Sequence, residues 1–428
     1  MKTFVTVWAG QVVSQVGSAM VSFALAIYVF QISGSATQLS MVLLAASVPG
    51  LLITPIAGAW VDRLDRRIVM AVADSIAGLG SVTLLVVAQQ KELTLGPIVA
   101  VALILSLAGA FQEPAYRASI VTLVPQENLG RANGMIEMGP AMGTLFAPAL
   151  AGAILLTAGI EAVLLIDVIT FLVAVIALAA VRFPQLKRSD RAVPTRLWTE
   201  IMEGMAYLRE RGALLGLLTM TALLNFFLSF VNLLWLPVFL GFANEAQVGL
   251  IMTFAGVGML IGSVTMSAWG GPQRLLPTMI GIMIVGGLTL SLTGARPSIW
   301  ITGVAMFGFM FFTPLVNGIS QTLWQRKVDA KIQGRVFSTR RMIGSIAAPL
   351  GLLIAGPLAD GVFEPLLVES GALVDSVGQI VGVGVGRGSG LLVIIAGFGV
   401  SLTALIAWLV PTVRNIETGI PDAVVDLA

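Results

Sequence analysis

The sequence predicts an all-α integral membrane protein of twelve transmembrane helices, arranged as two pseudo-symmetric six-helix halves. Composition, the run of apolar segments and the placement of the basic residues predict it. Of the 428 residues 57% are apolar and only 11% charged, against roughly 25% charged in soluble domains. Such a chain cannot cover a globular surface with polar groups, so its solvent is lipid. A bilayer core takes about 20 apolar residues per helix, and a chain of this length accommodates twelve with connectors to spare. The 47 glycines and 19 prolines suit membrane helices, where small residues allow close approach and neighbours satisfy freed backbone groups. The chain has no cysteine and no histidine. That excludes disulfides, thiol chemistry, histidine metal ligands and imidazole relays. No metal or cofactor is expected, and any proton carried must ride on Asp or Glu.

The apolar segments fall at 4–30, 38–61, 68–89, 97–115, 132–157, 161–181, 213–240, 247–269, 276–294, 298–321, 338–360 and 388–411. Between the sixth and seventh lies a charged stretch, RFPQLKRSDRAVPTR, followed by LWTEIMEGMAYLRERG with Trp198, Ile201, Met205 and Leu208 at helical spacing. This reads as an amphipathic helix on the membrane surface. The expected organisation is a six-helix bundle over 1–181, a cytoplasmic linker over 182–212, a second bundle over 213–411 and a cytoplasmic tail over 412–428. With the N-terminus inside, all but three of the 24 Lys and Arg fall on the cytoplasmic side, the exceptions being Lys91, Arg296 and Arg387. The positive-inside rule then places both termini in the cytoplasm of a cell inner (plasma) membrane. The net charge of +2 gives no sign of nucleic-acid binding. The first apolar run is too long for a cleaved signal peptide and leads at once into a second span.

The halves repeat. Ala59-Trp60, closing the second segment, matches Ala268-Trp269, closing the eighth; Gly130-Arg131, before the fifth, matches Gly334-Arg335, before the eleventh. Parallel repeats of this kind enclose a substrate site at their interface near the bilayer midplane.

Between the second and third segments the chain reads Gly58-Ala-Trp-Val-Asp62-Arg63-Leu-Asp65-Arg66-Arg67. This resembles the G-x-x-x-D-R-x-x-R-R loop signature of the Major Facilitator Superfamily, with Asp65 where a glycine is usual. In that family the loop stabilises the outward-facing state. Its glycine allows tight helix contact, and its acid and arginines can pair across the cytoplasmic face. Gly139-Pro140-Ala-Met-Gly143 resembles the core of the superfamily's antiporter motif, with Met135 in place of its preceding glycine. Leu123-Val-Pro125, Gly130-Arg131-Ala-Asn133-Gly134, Gln333-Gly-Arg335-Val-Phe337-Ser338 and Ala348-Pro349 through Ala355-Gly-Pro357-Leu-Ala-Asp360 are similar to the branch holding macrolide-efflux proteins and the enterobactin exporter. The resemblance implies the major facilitator fold and a secondary active exporter of drug, macrolide or siderophore type, coupled by proton antiport and acting as a monomer on small, partly hydrophobic molecules. An importer, or a lipid transporter or flippase, on the same fold is the alternative; a membrane receptor or enzyme is the remaining class. The arginine that many drug antiporters carry in the fourth span is missing, since 97–112 holds no basic residue.

No nucleotide signature competes. The tract Gly382-Val-Gly384-Val-Gly386-Arg387-Gly388-Ser-Gly390 lacks the G-K-[ST] ending of a phosphate loop and reads as a flexible outer loop. Energy must then come from an ion or substrate gradient. Ionisable groups inside membrane segments carry functional weight because each is costly unless paired, neutralised or hydrated. The candidates for proton coupling are Glu137, Asp74, Glu113 and Asp167, all in the first half; between Gly212 and Val328 the sole acid is Glu245. Glu137, two residues before Gly139-Pro140, is the leading choice. Asp74 suits either transport or pairing with the loop arginines, Glu113 either transport or a helix cap, and Asp167 either transport or a structural acceptor role. For the substrate cavity, Gln11, Ser14, Gln15 and Ser18 form a polar stripe in the first segment, and Asn225, Ser229 and Asn232 one in the seventh, beside Phe226 and Trp235. Polar stripes also glue helices together, so both readings stand.

Overall fold

The computed structural model of the chain describes residues 2–61, 64–124, 129–181, 197–329 and 332–422. Its long helices are α1 (Lys2–Ser33), α2 (Ala36–Val61), α3 (Arg66–Gln89), α4 (Leu95–Leu123), α5 (Leu129–Ala180), α6 (Leu197–Glu210), α7 (Gly212–Leu240), α8 (Glu245–Trp269), α9 (Leu275–Ala295), α10 (Ile299–Lys327) and α11 (Gln333–Leu358). A π-helical turn, the short α12 (Glu364–Leu366) and α13 (Gly378–Val381), then α14 (Arg387–Leu409), α15 (Pro411–Arg414) and α16 (Ile416–Gly419) complete it. Among the described residues 11 helices are long and apolar enough to cross a membrane. The twelfth span is the second arm of α5, which breaks at Gly159 with φ 76°, a backbone conformation glycine adopts without steric cost. Leu52, Ile176, Val264, Trp300 and Val304 are each at least 65% exposed. In a helical chain this apolar, such a belt is the lipid-facing surface.

The chain divides into two compact units, Met1–Val193 with Asn244–Thr253, and Pro194–Ala243 with Phe254–Ala428. In the first unit α1 is the axis. Gly10 lies against Ala174 and Ala177, and Gly17 against Asp167 and Thr170, all on the second arm of α5; Gly139 and Gly143 on the first arm lie against Gln15 and Ala19 of α1. Removing Cβ atoms on both partners lets the backbones approach as small residues do in membrane interfaces. Phe4, Val7, Met70, Tyr116, Ile136 and Leu178 fill the core at one end. The head of α8 clusters with this unit: a Cβ at Gly249 would stand 2.5 Å from the Pro148 carbonyl oxygen, and Gln31 donates to Glu245.

In the second unit α9 and α14 meet backbone to backbone through glycines seven residues apart on each, Gly287 and Gly294 against Gly397 and Gly390. Ser291 Oγ donates to the Ile394 carbonyl at 3.1 Å and Ser401 Oγ to that of Ile284 at 3.0 Å. Gly258 and Gly262 of α8 lie in the same way on Phe307 and Phe311 of α10. The amphipathic α6 sinks Leu208 completely into the core. It docks on α11 through Gly204, whose missing Cβ makes room for the Arg335 carbonyl, and through a Glu203–Arg335 ion pair at 2.6 Å. Residues 182–196 of the expected linker lie outside the described residues, as do the side chains of Trp198 and Ile201.

The C-terminal residues fold back on this unit as short helices. Glu417 accepts from the Leu275 and Leu276 amides at 3.2 and 2.8 Å, capping α9. The buried Lys327 reaches Asp422 at 2.8 Å and donates to the Glu417 and Ile420 carbonyls. The glycine-rich tract also differs from the flexible loop expected of it. Gly382, Gly384 and Gly386 adopt positive φ, and the turn they make buries Arg387, which donates to the Val381 and Val238 carbonyls. Glu364 accepts from the Gly386 amide and from the amide and hydroxyl of Ser389 at the start of α14. A charged pair of anchors, Arg387 and Glu364, fixes the turn that the glycines make possible.

Candidate functional site

The first unit holds two buried carboxylates, each met by neutral donors. Asp74 on α3 is fully buried. Gln11 Nε2 on α1 donates to its Oδ2 at 2.7 Å, and Gln112 Nε2 on α4 donates both to its Oδ1 and, at 3.2 Å, to Gln11 Oε1. Three helices thus share one carboxylate and two amides. Asp167 on the second arm of α5 is 2% exposed. Ser81 Oγ on α3 donates to its Oδ2 at 2.6 Å and Ser18 Oγ on α1 to its Oδ1 at 3.4 Å. Neither acid makes an ion pair among the described residues. The register explains the arrangement: Gln11 and Ser18 are seven residues apart, as are Asp74 and Ser81, and residues two turns apart share a helix face. Gln112 and Ser81 were not singled out from the sequence; the matched spacing on α1 and α3 is the signal by which Ser81 could have been found.

Glu113 is exposed and holds Arg117 at 3.1 Å on the surface of α4, away from Asp74's partners. Glu137 falls in α5 two residues before Gly139, and its side chain is outside the described residues.

The loop signature is a helix-end clamp. Asp65 begins α3 as its N-cap, accepting from the Arg67 amide at 2.9 Å, so the residue that replaces the usual glycine satisfies an otherwise orphaned donor. Arg66 Nη1 donates to the Ala118 carbonyl of α4 at 2.7 Å. Arg67 donates from Nε to the Leu178 carbonyl at 3.0 Å and from Nη2 to that of Ala179 at 2.9 Å. These carbonyls belong to the last turn of α5 and carry the negative end of its dipole. Arg66 is therefore taken up by a carbonyl in the C-terminal half of α4 and Arg67 by the end of α5, and Asp74 is left to Gln11 and Gln112. Asp62 and Arg63 lie outside the described residues. No described atom stands within 4 Å of a Cβ at Gly58, so the tight helix contact expected there is not made among the described residues. Gly139 and Gly143 do make close contact, with α1; Pro140 between them is exposed.

Of the cavity candidates, Gln11 is buried against Asp74. Gln15 is half-buried with its Oε1 buried and unpartnered among the described residues. In the second unit Asn225 Nδ2 donates to the Gly344 carbonyl of α11 at 3.2 Å. Ser229 is buried where Gly351 leaves room for its hydroxyl. Both knit α7 to α11, which is the gluing role of a polar stripe. Asn232 is exposed. Phe226 packs against Phe227 and Phe230 with ring centroids 5.6 and 5.2 Å apart, and Trp235 stands 5.8 Å from Phe239. The side chains brought together are thus Gln11 with Asp74, and Asn225 and Ser229 with α11.

The sequence profile of the Major Facilitator Superfamily matches residues 7–352. Macrolide efflux protein A of Streptococcus pyogenes is 32% identical over 364 residues, covering 83% of this chain and 89% of the relative. The protein of the same name from Enterococcus faecalis is 31% identical over 326 residues, 74% of this chain and 100% of the relative. Multidrug efflux pump Tap of Mycolicibacterium fortuitum is 26% identical over 345 residues, 78% and 83% of the two chains. Among solved structures, a nucleoside transporter superposes with a TM-score of 0.73 at 14% identity over 94% of this chain and 98% of its own. An inward-facing, unoccupied bacterial homologue of the human lysosomal transporter Spinster does so with 0.71 at 14% identity over 97% of each.

Proposed function

The chain belongs to the Major Facilitator Superfamily, and on that premise we propose that it is a secondary exporter of bulky, partly hydrophobic small molecules of macrolide or multidrug type. It is a multi-pass membrane transporter and not an enzyme. Substrate leaves by alternating access between the two six-helix bundles, 1–181 and 213–411, in exchange for protons. The observation that carries this reading is the similarity to macrolide efflux protein A along most of both chains. Three features support the finer steps. The described acids buried in the membrane segments, Asp74 and Asp167, lie in the first unit, so ion binding belongs there, with Glu137 and Glu113 as the other carboxylates. The loop arginines bind carbonyls of α4 and α5 within the first bundle and brace the start of α3, a contact through which that bundle's shape can bias a gate. The aromatic run Phe226 to Trp235 of α7 offers apolar contact for a large substrate. The protein works as a monomer, in the inner membrane.

Expression in a susceptible bacterial host stripped of its own pumps is expected to raise the inhibitory concentration of erythromycin, or of ethidium if the substrate range is broader. No change across both compounds at confirmed protein levels would contradict efflux. The orientation is tested on the cysteine-free chain itself. Ser189→Cys is expected to stay unlabelled by an impermeant thiol reagent in intact cells, while Asn244→Cys and Ser376→Cys are labelled; the reverse pattern would invert the topology.

A further inference from the structure

The two buried carboxylates lie on one seam. Gln11, Ser14 and Ser18 recur at helical spacing on α1, with Gln11 and Ser14 buried, and Asp74 and Ser81 face them from α3. Gln11 bonds Asp74; Ser18 and Ser81 both bond Asp167. The seven-residue step between the two levels corresponds to about 10 Å of helix rise. Ser14 stands one turn from both Gln11 and Ser18. A second observation extends the seam past Asp74: Tyr116 is 6% exposed and its hydroxyl has no partner among the described residues. It lies four residues from Gln112 on α4, on the face that meets Asp74.

We propose that Asp74 and Asp167 are two successive stations for the exchanged proton, joined along the α1–α3 seam by Ser14, Ser18 and Ser81. The proposal rests on the exporter reading and deepens it by assigning the ion path. A carboxylate enclosed by amides and hydroxyls alone is costly while charged and loses that cost when a proton binds it. Hydroxyls suit the route because each both donates and accepts: Ser18 or Ser81 takes a proton from one oxygen and passes its own to the next, so charge is conserved at every hop. The amides of Gln11 and Gln112 hold Asp74 in place, and the phenol of Tyr116 is the donor-acceptor next along the seam. Among the described residues no other charged group bonds either acid, and Arg117 follows Tyr116 on α4. Glu113 is exposed with Arg117, Glu161 is exposed near the α5 kink, and Arg66 and Arg67 hold carbonyls of α4 and α5. The side chains of Glu137 and Arg131 are outside the described residues.

The test uses the full chain in lipid. In pH-difference infrared spectra the wild type is expected to show two protonated-carboxyl bands, one removed by Asp74→Asn and the other by Asp167→Asn. In inside-out vesicles each substitution is expected to bring proton-driven erythromycin accumulation down to the level of control vesicles while erythromycin counterflow persists. Ser81→Ala keeps both acids and is expected to shift the Asp167 band and slow coupled transport relative to counterflow, so a misfolded Asn variant does not end the test. The proposal is overturned if Asp167→Asn retains wild-type proton-driven accumulation, if Ser81→Ala changes neither band nor coupling, or if the bands follow sodium at fixed pH. Should the wild type move neither erythromycin nor ethidium in either assay, the exporter reading falls, and the infrared bands still decide the two stations.

Discussion

Gly397→Leu is expected to leave no folded second unit. A Cβ at position 397 would already stand 2.5 Å from the Gly287 carbonyl oxygen and 2.8 Å from the Ser291 amide nitrogen. Both are backbone atoms of α9, which cannot rotate aside as a flexible side chain does. Relief requires α9 and α14 to separate, breaking the Ser291 and Ser401 bonds across the seam and opening the Gly294–Gly390 contact one turn pair away. Overpacking alone costs about 1–3 kcal/mol, and with the loss of the seam the total should exceed about 4 kcal/mol, a large fraction of a typical folding stability. Gly281→Leu on α9 is the control, because nothing lies within 4 Å of its Cβ position. Detergent-solubilised protein followed by size-exclusion chromatography should show a monodisperse peak for Gly281→Leu and aggregate or no protein for Gly397→Leu. A monodisperse, thermally unaltered Gly397→Leu protein would contradict the packing described.

Arg67→Ala is expected to cut transport while sparing insertion. The guanidinium makes two charge-assisted bonds to the last carbonyls of α5, each worth about 1.5–3 kcal/mol. They join the start of α3 to the end of α5, so their loss biases the balance between transport states more than it unfolds either. A bias of about 1.4 kcal/mol already changes a two-state ratio tenfold. Transport should fall by about tenfold or more at equal protein level. Arg67→Lys should restore part of it, since an ammonium meets the helix dipole but cannot bridge two carbonyls as the planar fork does. Wild-type transport in Arg67→Ala would remove the clamp from the mechanism.

Much of this architecture is legible in the sequence because lipid imposes it: each span must be long, apolar and helical. The ends are less so. α4 runs to Leu123 and α10 to Lys327, and α11 starts at Gln333, each beyond its apolar stretch, because intrahelical hydrogen bonding continues where hydropathy no longer marks it. Gly159 splits α5 inside the gap between the apolar segments 132–157 and 161–181, and only its positive φ is invisible to hydropathy. At the site, the polar stripe of α1 and the buried acids could each be read locally. The pairing of Gln11 with Asp74, 63 residues away, could not, because partner choice depends on how helices rotate about one another. The stripe of α7 shows the same limit: Asn225 and Ser229 proved to be spent on α11, and only packing tells glue from lining. Charged residues near helix ends were the least legible. Lys327, Glu417 and Arg387 read as loop or tail charges, yet each satisfies helix-end or loop backbone groups, which sequence spacing does not reveal.

The decisive measurement is erythromycin accumulation in inside-out membrane vesicles whose lumen is acidified by respiration. Proton-coupled export predicts uptake that appears with the gradient, reverses when the gradient is collapsed by an ionophore, and is absent from vesicles lacking the protein. Uptake that is indifferent to the gradient, or that occurs only in right-side-out vesicles, would contradict export by proton exchange.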